Sequence, residues 1–164
     1  MKFDTTRFGQ IEVKSEDIVN FPEGLLGFPD CKKFTLIADE SSKPFKMLQS
    51  LDNPALAFVV IDPIIAQPNY HFNVTPDELK NIKTEKTEEL EVYVIVTMAT
   101  NVKDVTVNLQ GPLVINSQNR LGHQFVLVNT PYTTREKLLW SEEEIAQEDG
   151  TVPASHTEGQ KKAM

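Results

Sequence analysis

Short apolar runs separated by turn-forming residues recur along most of the chain. Residues 3–8 and 11–14 flank Gly9 and Gln10, and the alternation of apolar and polar positions in the second segment predicts a β-hairpin. The continuously apolar run at residues 56–61 indicates a strand that is buried on both faces. Further strands are predicted over residues 34–37, 45–51, 70–74, 92–98, 105–109, 113–116 and 125–128.

Helix signals are concentrated between the strands at residues 70–74 and 92–98. Thr75 is a candidate N-cap, Pro76 stands at the first helical position, and Glu78 lies three residues after the cap. Together these residues predict a short helix over about residues 76–82.

Many short strands with few helices between them predict a mainly β protein. A parallel α/β sheet would need helices between most strands, and these are missing. We therefore expect a compact antiparallel β-barrel-like single domain with one or two short helices, a sandwich being the alternative. The domain is expected to span residues 1–140. Residues 141–164 are expected to form a short acidic helix, begun by Ser141, and a flexible C-terminal tail.

The composition indicates how many domains the protein has and in which cellular compartment it acts. The chain has 164 residues, of which 40% are hydrophobic and 24% charged, as in one ordinary globular domain. Its one cysteine, Cys31, cannot form an internal disulfide. No apolar run approaches the roughly 20 residues of a membrane span, and the N-terminus lacks a signal-peptide pattern. A cytoplasmic protein without membrane contact is therefore expected.

The net charge of −8 bears on the choice of partner. It opposes direct nucleic-acid binding, which needs Lys and Arg side chains to neutralise phosphates. It suits a basic protein partner, because opposite fields speed encounter. The favoured interpretation, however, is that this charge merely keeps the protein soluble.

No arrangement of nucleophiles or metal ligands stands out. Cys31 is adjacent to Asp30, whose negative charge tends to raise the pKa of a thiol. The histidines are not paired with one another or with Cys31 at metal-ligand spacing. They are His71, His123 and His156. No glycine-rich phosphate loop with a following lysine is present.

Carboxylates are the remaining route to catalysis. Asp39, Asp52 and Asp62 end predicted strands and could form a pair, but acidic residues in such places are usually turn formers. The chain is therefore expected not to be an enzyme and to hold no metal or cofactor. A carboxylate-dependent hydrolase and a single-stranded nucleic-acid-binding barrel remain the alternatives.

Residues 20–30 combine four large apolar side chains with proline and glycine, a composition that suits neither a strand nor a helix. The favoured interpretation is a loop over the barrel mouth, with Phe21 and Phe28 plugging the core. The other is an exposed apolar patch for a partner. Both hold if the phenylalanine rings lie inside and Leu25 or Leu26 lies outside.

Residues 21–28, FPEGLLGF, resemble the signature loop of the bacterial flagellar assembly factor FliW family. The likeness rests on the ordered combination of several segments and covers nearly all of residues 1–140. The further segments are residues 48–50, 56–63, 94–97, 108–116 and 132–135.

This resemblance implies a β-barrel-like, non-enzymatic regulator with two protein partners. Members of the family bind flagellin in the cytoplasm before its export, and they bind CsrA, the translational repressor of flagellin mRNA. While flagellin is abundant it occupies the factor, and once flagellin is exported the freed factor antagonises CsrA. No direct nucleic-acid contact is implied, and a monomer is expected.

The resemblance and the apolar pattern together yield predicted partner-binding residues. The apolar members Leu25, Leu26, Tyr70 and Phe72 are expected to form surface for flagellin. The acidic charge is expected to attract basic CsrA and to repel RNA phosphates. The full set is Phe21, Leu25, Leu26, Phe28, Tyr70, Phe72, Asn108 and Asn116.

Overall fold

A computed structural model describes residues 1–84 and 86–138 of the chain, so the helix and tail predicted after residue 140 lie outside the described residues. Two helices are described, α1 (Pro63–Ala66) and α2 (Pro76–Asn81). The strands are β1 (Lys2–Thr5), β2 (Gly9–Glu12), β3 (Val19–Asn20), β4 (Lys33–Ala38), β5 (Lys46–Ser50), β6 (Ala57–Ile61), β7 (Leu90–Thr97), β8 (Thr106–Val107), β9 (Leu113–Asn116), β10 (Gly122–Gln124) and β11 (Glu136–Lys137). Short 3-10 helices lie at Ser15–Asp17, Glu40–Ser42, Thr87–Glu89 and Val102–Asp104.

The strands form an antiparallel sheet that closes on itself. The main path runs β10-β9-β7-β6-β5-β4-β3, while β1 and β2 form a separate hairpin. The Asn20 N–H donates to the Arg120 carbonyl at 2.9 Å, and Asn20 forms a parallel bridge with Leu121. This bridge joins the first and last strands of the path, so the predicted barrel-like mainly β fold is confirmed.

One edge of β7 is shared between two strands. Its first half pairs with β9 and its last residues pair with β8, which in turn pairs with β11. Asn108 accounts for the break between β8 and β9, because its side-chain Oδ1 accepts the N–H groups of Gln110 and Gly111 at 3.1 and 2.9 Å. These bonds hold a turn that displaces four residues from the line of the strand.

Two apolar clusters lie on opposite faces of the central strands. One fills the barrel and gathers side chains from β3, β4, β5, β6 and β9, among them Phe34, Leu48 and Val60. The other covers the outer face of β6, β7 and β9 and includes Ile61 and Val94. Since neighbouring residues of β6 enter different clusters, the prediction that this strand has both faces buried is confirmed.

Helix α2 forms where the capping signals predict it. The Thr75 Oγ1 accepts the Glu78 N–H at 3.2 Å, and the Glu78 carboxylate accepts the Thr75 N–H at 2.9 Å. This is a complete capping box, with Pro76 at the start of the helix. Helix α1 was not predicted, although Asp62 caps it and Pro63 opens it, because the Asp-Pro pair was interpreted only as the end of β6.

Two predicted strands are not present as strands. Residues 70–74 keep the alternating exposure of a strand but pair with no other strand in the described chain. Residues 125–128 follow β10 and continue its pairing only at two points. There the Phe125 N–H donates to the Pro112 carbonyl and the Leu127 N–H to the Gln110 carbonyl, at 2.9 and 2.8 Å.

Candidate partner-binding surface

The loop at residues 21–28 is anchored by a buried aromatic ring. Phe21 is fully buried, and its ring meets that of Phe34 edge-on at a centroid distance of 5.6 Å. Gly24 has a φ of +70°, and a Cβ added there would lie 2.5 Å from the Phe28 carbonyl oxygen. Only glycine fits this turn, because both the backbone conformation and the space exclude a side chain.

The two leucines of the loop point in opposite directions. Leu25 is 3% exposed and belongs to the barrel core, whereas Leu26 is 61% exposed. The Leu26 N–H donates to the Gln124 Oε1 at 2.8 Å, which fixes the tip of the loop to β10. The expectation that Leu25 offers apolar surface is therefore wrong, and that for Leu26 agrees with its exposure.

Phe28 also differs from the expected plug. Its side chain is 38% exposed, and its ring rests edge-on against Phe58 at 5.4 Å instead of entering the core. Phe21 alone supplies the plug, and its ring fills the space where a Cβ on Gly122 would come within 2.7 Å. The loop thus presents Leu26 and Phe28 at the surface while Phe21 and Leu25 hold it down.

The two predicted asparagines serve the fold. Asn116 is 1% exposed, so its side chain cannot touch a partner, which corrects its place among the contact residues. Its Nδ2 donates to the Ile82 carbonyl at 2.8 Å and its Oδ1 accepts the Gln118 N–H at 2.8 Å. Asn108 is half-buried and holds the turn between β8 and β9 described above.

A groove of about 900 Å³ lies beside the first half of β7. Two predicted residues, Tyr70 and Phe72, lie in its wall, and Ile64 of α1 is 56% exposed there. The remaining lining residues are Pro44, Lys46, Ile61, Asp62, Pro63, Ile65, His71, Asn73, Val74, Thr87, Leu90, Glu91, Val92 and Tyr93. Most of these side chains are apolar, as expected of a surface that binds protein chains.

Tyr70 fixes the wall of this groove and offers little of its own surface. Its hydroxyl donates to the Leu109 carbonyl at 2.8 Å, and its ring packs 4.6 Å from that of Tyr132. Burial, reinforced by the neighbouring Tyr132, raises the pKa of Tyr70 well above its ordinary range. Phe72 is half-buried and meets the Phe125 ring edge-on at 6.1 Å. Of the two predicted aromatic residues, Phe72 is therefore the more accessible.

Charged groups at the rim of the groove are paired with one another. The Lys46 ammonium lies 5.3 Å from the centre of the Tyr93 ring and 3.4 Å from its hydroxyl oxygen. Burial raises the pKa of Tyr93, the positive charge of Lys46 lowers it, and Glu91 raises it. Glu91 in turn lies 3.6 Å from the Arg120 guanidinium. The lining therefore holds two acidic side chains, Asp62 and Glu91, and one basic side chain, Lys46.

The candidate metal ligands and carboxylates named in the sequence can be located in the described residues. Within residues 1–84 and 86–138, no group of three or more His, Cys, Asp or Glu side chains lies close enough to hold a metal ion. Asp39, Asp52 and Asp62 accept main-chain N–H groups at turns or helix starts, from Ser41, from Lys32 and Lys33, and from Ile64. Their interpretation as turn formers is thus correct. In the same part of the chain, every helix is too short or too polar to cross a bilayer.

Comparison with known proteins identifies a family with this architecture. The family model described as FliW protein matches residues 2–138. The chain is 40% identical over 141 residues to the flagellar assembly factor FliW of Caldanaerobacter subterraneus subsp. tengcongensis, covering 85% of this chain and 93% of that protein. It is 41% identical over 139 residues to the Geobacillus kaustophilus protein of the same name, covering 85% and 96% of the two chains.

The fold agrees with this sequence likeness. A crystal structure of the flagellar assembly factor FliW superposes with a TM-score of 0.80 at 39% sequence identity. The match covers 87% of this chain and 99% of the other. The family match at residues 2–138 includes the described barrel, the loop at residues 21–28 and the residues that line the groove beside β7.

Proposed function

This chain belongs to the FliW family of flagellar assembly factors, and from that membership we propose that it acts in the cytoplasm as a monomer that binds two proteins in turn. One partner is flagellin before its export, and the other is the translational repressor CsrA once flagellin has left. Binding to CsrA relieves repression of flagellin mRNA. The observation that carries this proposal is the family match across residues 2–138, which includes the entire described barrel.

Exposed apolar side chains supply surface for flagellin in this proposal. Leu26 and Phe28 project from the loop at residues 21–28, while Ile64 and Phe72 line the groove beside β7. A flagellin segment that is disordered before assembly would gain order on such a surface, since burial of its apolar side chains offsets the entropy lost.

Charge supports the choice of CsrA as the second partner. The chain carries a net charge of −8, and an RNA-binding protein presents basic surface to its ligand. An acidic factor docked beside that surface attracts the repressor and repels RNA phosphates at the same time. Antagonism of CsrA is then partly electrostatic.

Calorimetric titration of the full chain with purified flagellin, and separately with CsrA, tests the proposal. Each partner is expected to bind, and flagellin added to a preformed complex with CsrA is expected to release CsrA. Failure of both partners to bind contradicts the proposal. Formation of a stable complex that contains all three proteins contradicts binding in turn.

The electrostatic part has its own measurement. Raising the salt concentration shortens the range of charge interactions, so the affinity for CsrA is expected to fall. The affinity for flagellin, held mainly by apolar contacts, is expected to change less. An affinity for CsrA that does not depend on salt removes the electrostatic contribution.

A further inference from the structure

The groove beside β7 runs along one edge of that strand, and the hydrogen bonds of β7 show which of its main-chain groups lie on that edge. The Ile95 carbonyl accepts the Asn108 N–H at 2.9 Å, and the Glu89 carbonyl just before β7 accepts the Ser117 N–H at 2.9 Å. Successive residues of a strand direct their main-chain groups to opposite edges. The main-chain groups of the odd-numbered residues of β7 therefore point towards β8 and β9. Those of the even-numbered residues point towards β6.

Strand β6 covers only part of that second edge. Its pairing with β7 ends at Ile61, where Asp62 caps α1 and Pro63 starts the helix, so that the chain leaves the sheet. Leu90 and Val92 lie beyond this end. The Leu90 N–H donates to the Thr87 carbonyl, but the Leu90 carbonyl and both main-chain groups of Val92 have no hydrogen-bond partner in the described part of the chain.

Residues 70–74, which also line the groove, likewise have main-chain groups without hydrogen-bond partners. In residues 70–74 the side chains of Tyr70, Phe72 and Val74 face the core, while His71 and Asn73 are exposed. This is the alternation of a strand, yet the main-chain groups of Phe72, Asn73 and Val74 form no hydrogen bond with any described residue. Two walls of one groove thus carry unpaired main chain.

The residues that line the groove show that it follows the edge of β7. Leu90 and Val92 contribute side chains from one face of β7, and Glu91 and Tyr93 contribute side chains from the other. A groove lined from both faces of a strand follows its edge. Its length along Leu90–Tyr93 is about 13 Å, which accommodates four extended residues at about 3.3 Å each.

We propose that this groove receives an extended segment of a partner protein as an added β-strand on the free edge of β7. The partner's main chain bonds to the Leu90 carbonyl and to both main-chain groups of Val92, and alternate side chains of the segment pack on Ile64 and Phe72. The segment is apolar at those positions and not acidic between them. Among charged lining residues, Asp62 and Glu91 outnumber Lys46, and the whole chain is acidic.

This inference rests on the proposed function, because it states in which form flagellin is held. Amide hydrogen exchange, measured by NMR at single residues on the full chain, tests it with and without flagellin. On binding, exchange at the free Val92 amide is expected to slow by about tenfold or more. The Glu91 and Tyr93 amides already pair with β9, so they are expected to exchange slowly in both states.

The outcomes separate this inference from the proposed function. If flagellin binds and exchange at Val92 is unchanged, the added strand is wrong while the proposed function stands. A helix seated in the groove would have this signature. If the Val92 amide is already protected in the free chain, the edge is covered from within, which also overturns the inference. If flagellin does not bind, both the added strand and the proposed function are contradicted.

A pair of exposed apolar residues supplies matched variants. Ile64→Asp places a charge in the groove at the start of α1, where an acidic residue suits the helix. It is expected to weaken flagellin binding by about tenfold or more. Val128→Asp makes the same kind of change at a residue that is 69% exposed and does not line the groove, and it should leave binding unchanged. Equal affinity of the two variants contradicts the inference.

Discussion

The loop at residues 21–28 and the groove beside β7 both bring apolar side chains to the surface, yet their main chains differ. Within the loop, the Gly24 N–H donates to the Phe21 carbonyl at 2.8 Å, and Leu25 and Phe28 exchange two hydrogen bonds at 3.2 and 2.7 Å. The groove leaves main-chain groups of Leu90 and Val92 without partners in the described chain.

This difference separates two kinds of binding surface. A loop whose main chain is largely bonded within the chain offers a partner mainly its side chains, so recognition depends on which residues stand there. An unpaired strand edge also offers main-chain donors and acceptors, which accept many sequences provided that the partner is extended. A single small barrel therefore combines a side-chain surface with a main-chain surface.

The anchor of the loop is expected to give the largest effect. Phe21→Ala removes a fully buried ring and leaves a cavity between Phe34 and Gly122, which should lower the free energy of unfolding by about 4 kcal/mol. Urea denaturation measures this value. Phe28→Ala is the control, with an expected loss of about 1 kcal/mol because the ring is partly exposed. Equal losses would mean that the loop is not held by Phe21.

The adjacent leucines provide the next comparison. Leu25→Ala is expected to cost about 3 kcal/mol of stability, and Leu26→Ala less than about 0.5 kcal/mol, because only the first side chain is buried. Thermal unfolding of the two variants measures the difference. The expected order for flagellin affinity is the reverse, with Leu26→Ala the weaker binder once both are folded. A Leu26→Ala protein with unchanged affinity would remove the loop from the binding surface.

In the groove, binding and stability are expected to separate. Phe72→Ala removes a half-buried wall residue, so the free energy of unfolding should fall by about 1 kcal/mol. Flagellin affinity should fall by about tenfold, since the lost contact is made in the complex. Calorimetry and denaturation on the same preparation give both values. A loss of stability without any loss of affinity would place the partner elsewhere.

The smallest effect is expected at high pH. Burial raises the pKa of Tyr70 in the folded state above the ordinary value of 10.0, and that of Tyr93 shifts in the same direction. A raised pKa keeps the folded state protonated, so stability is fully present below pH 10.0 and declines as the pH rises above it. Denaturation across this range should show a shallower decline in Tyr70→Phe than in the native chain. An identical decline would assign the effect to other groups.

Local features of the fold were determined by the sequence alone. The capping box of Thr75 and Glu78 predicts α2 to within a residue or two, because its hydrogen bonds join neighbours in the chain. The hairpin of β1 and β2 and the buried run of β6 were likewise predicted from the apolar pattern, although the hairpin turn lies at residues 6–8 and not at Gly9 and Gln10. The family likeness also rests on sequence, and it agrees with the structural match.

Burial within an irregular loop required the tertiary structure. Leu25 and Leu26 are chemically identical neighbours, and no pattern in residues 21–28 says which of them faces the core. The positive φ of Gly24 and the bond from the Leu26 N–H to Gln124 decide it, and that bond joins residues 98 positions apart in the chain. Asn116 was misplaced for the same reason, because its partner, the Ile82 carbonyl, lies far away in sequence.

The sequence determined which segments of this protein can form strands, since alternation and side-chain type are properties of a few neighbouring residues. Only the tertiary structure decided which of those segments pair with another strand. Residues 70–74 and the first half of β7 both have strand-like patterns, but the capped turn at Asp62 and Pro63 removes β6 from their side. Strand pairing depends on residues that are distant in the chain. For the same reason, the free edge of β7 could not be predicted from the residues of β7 alone.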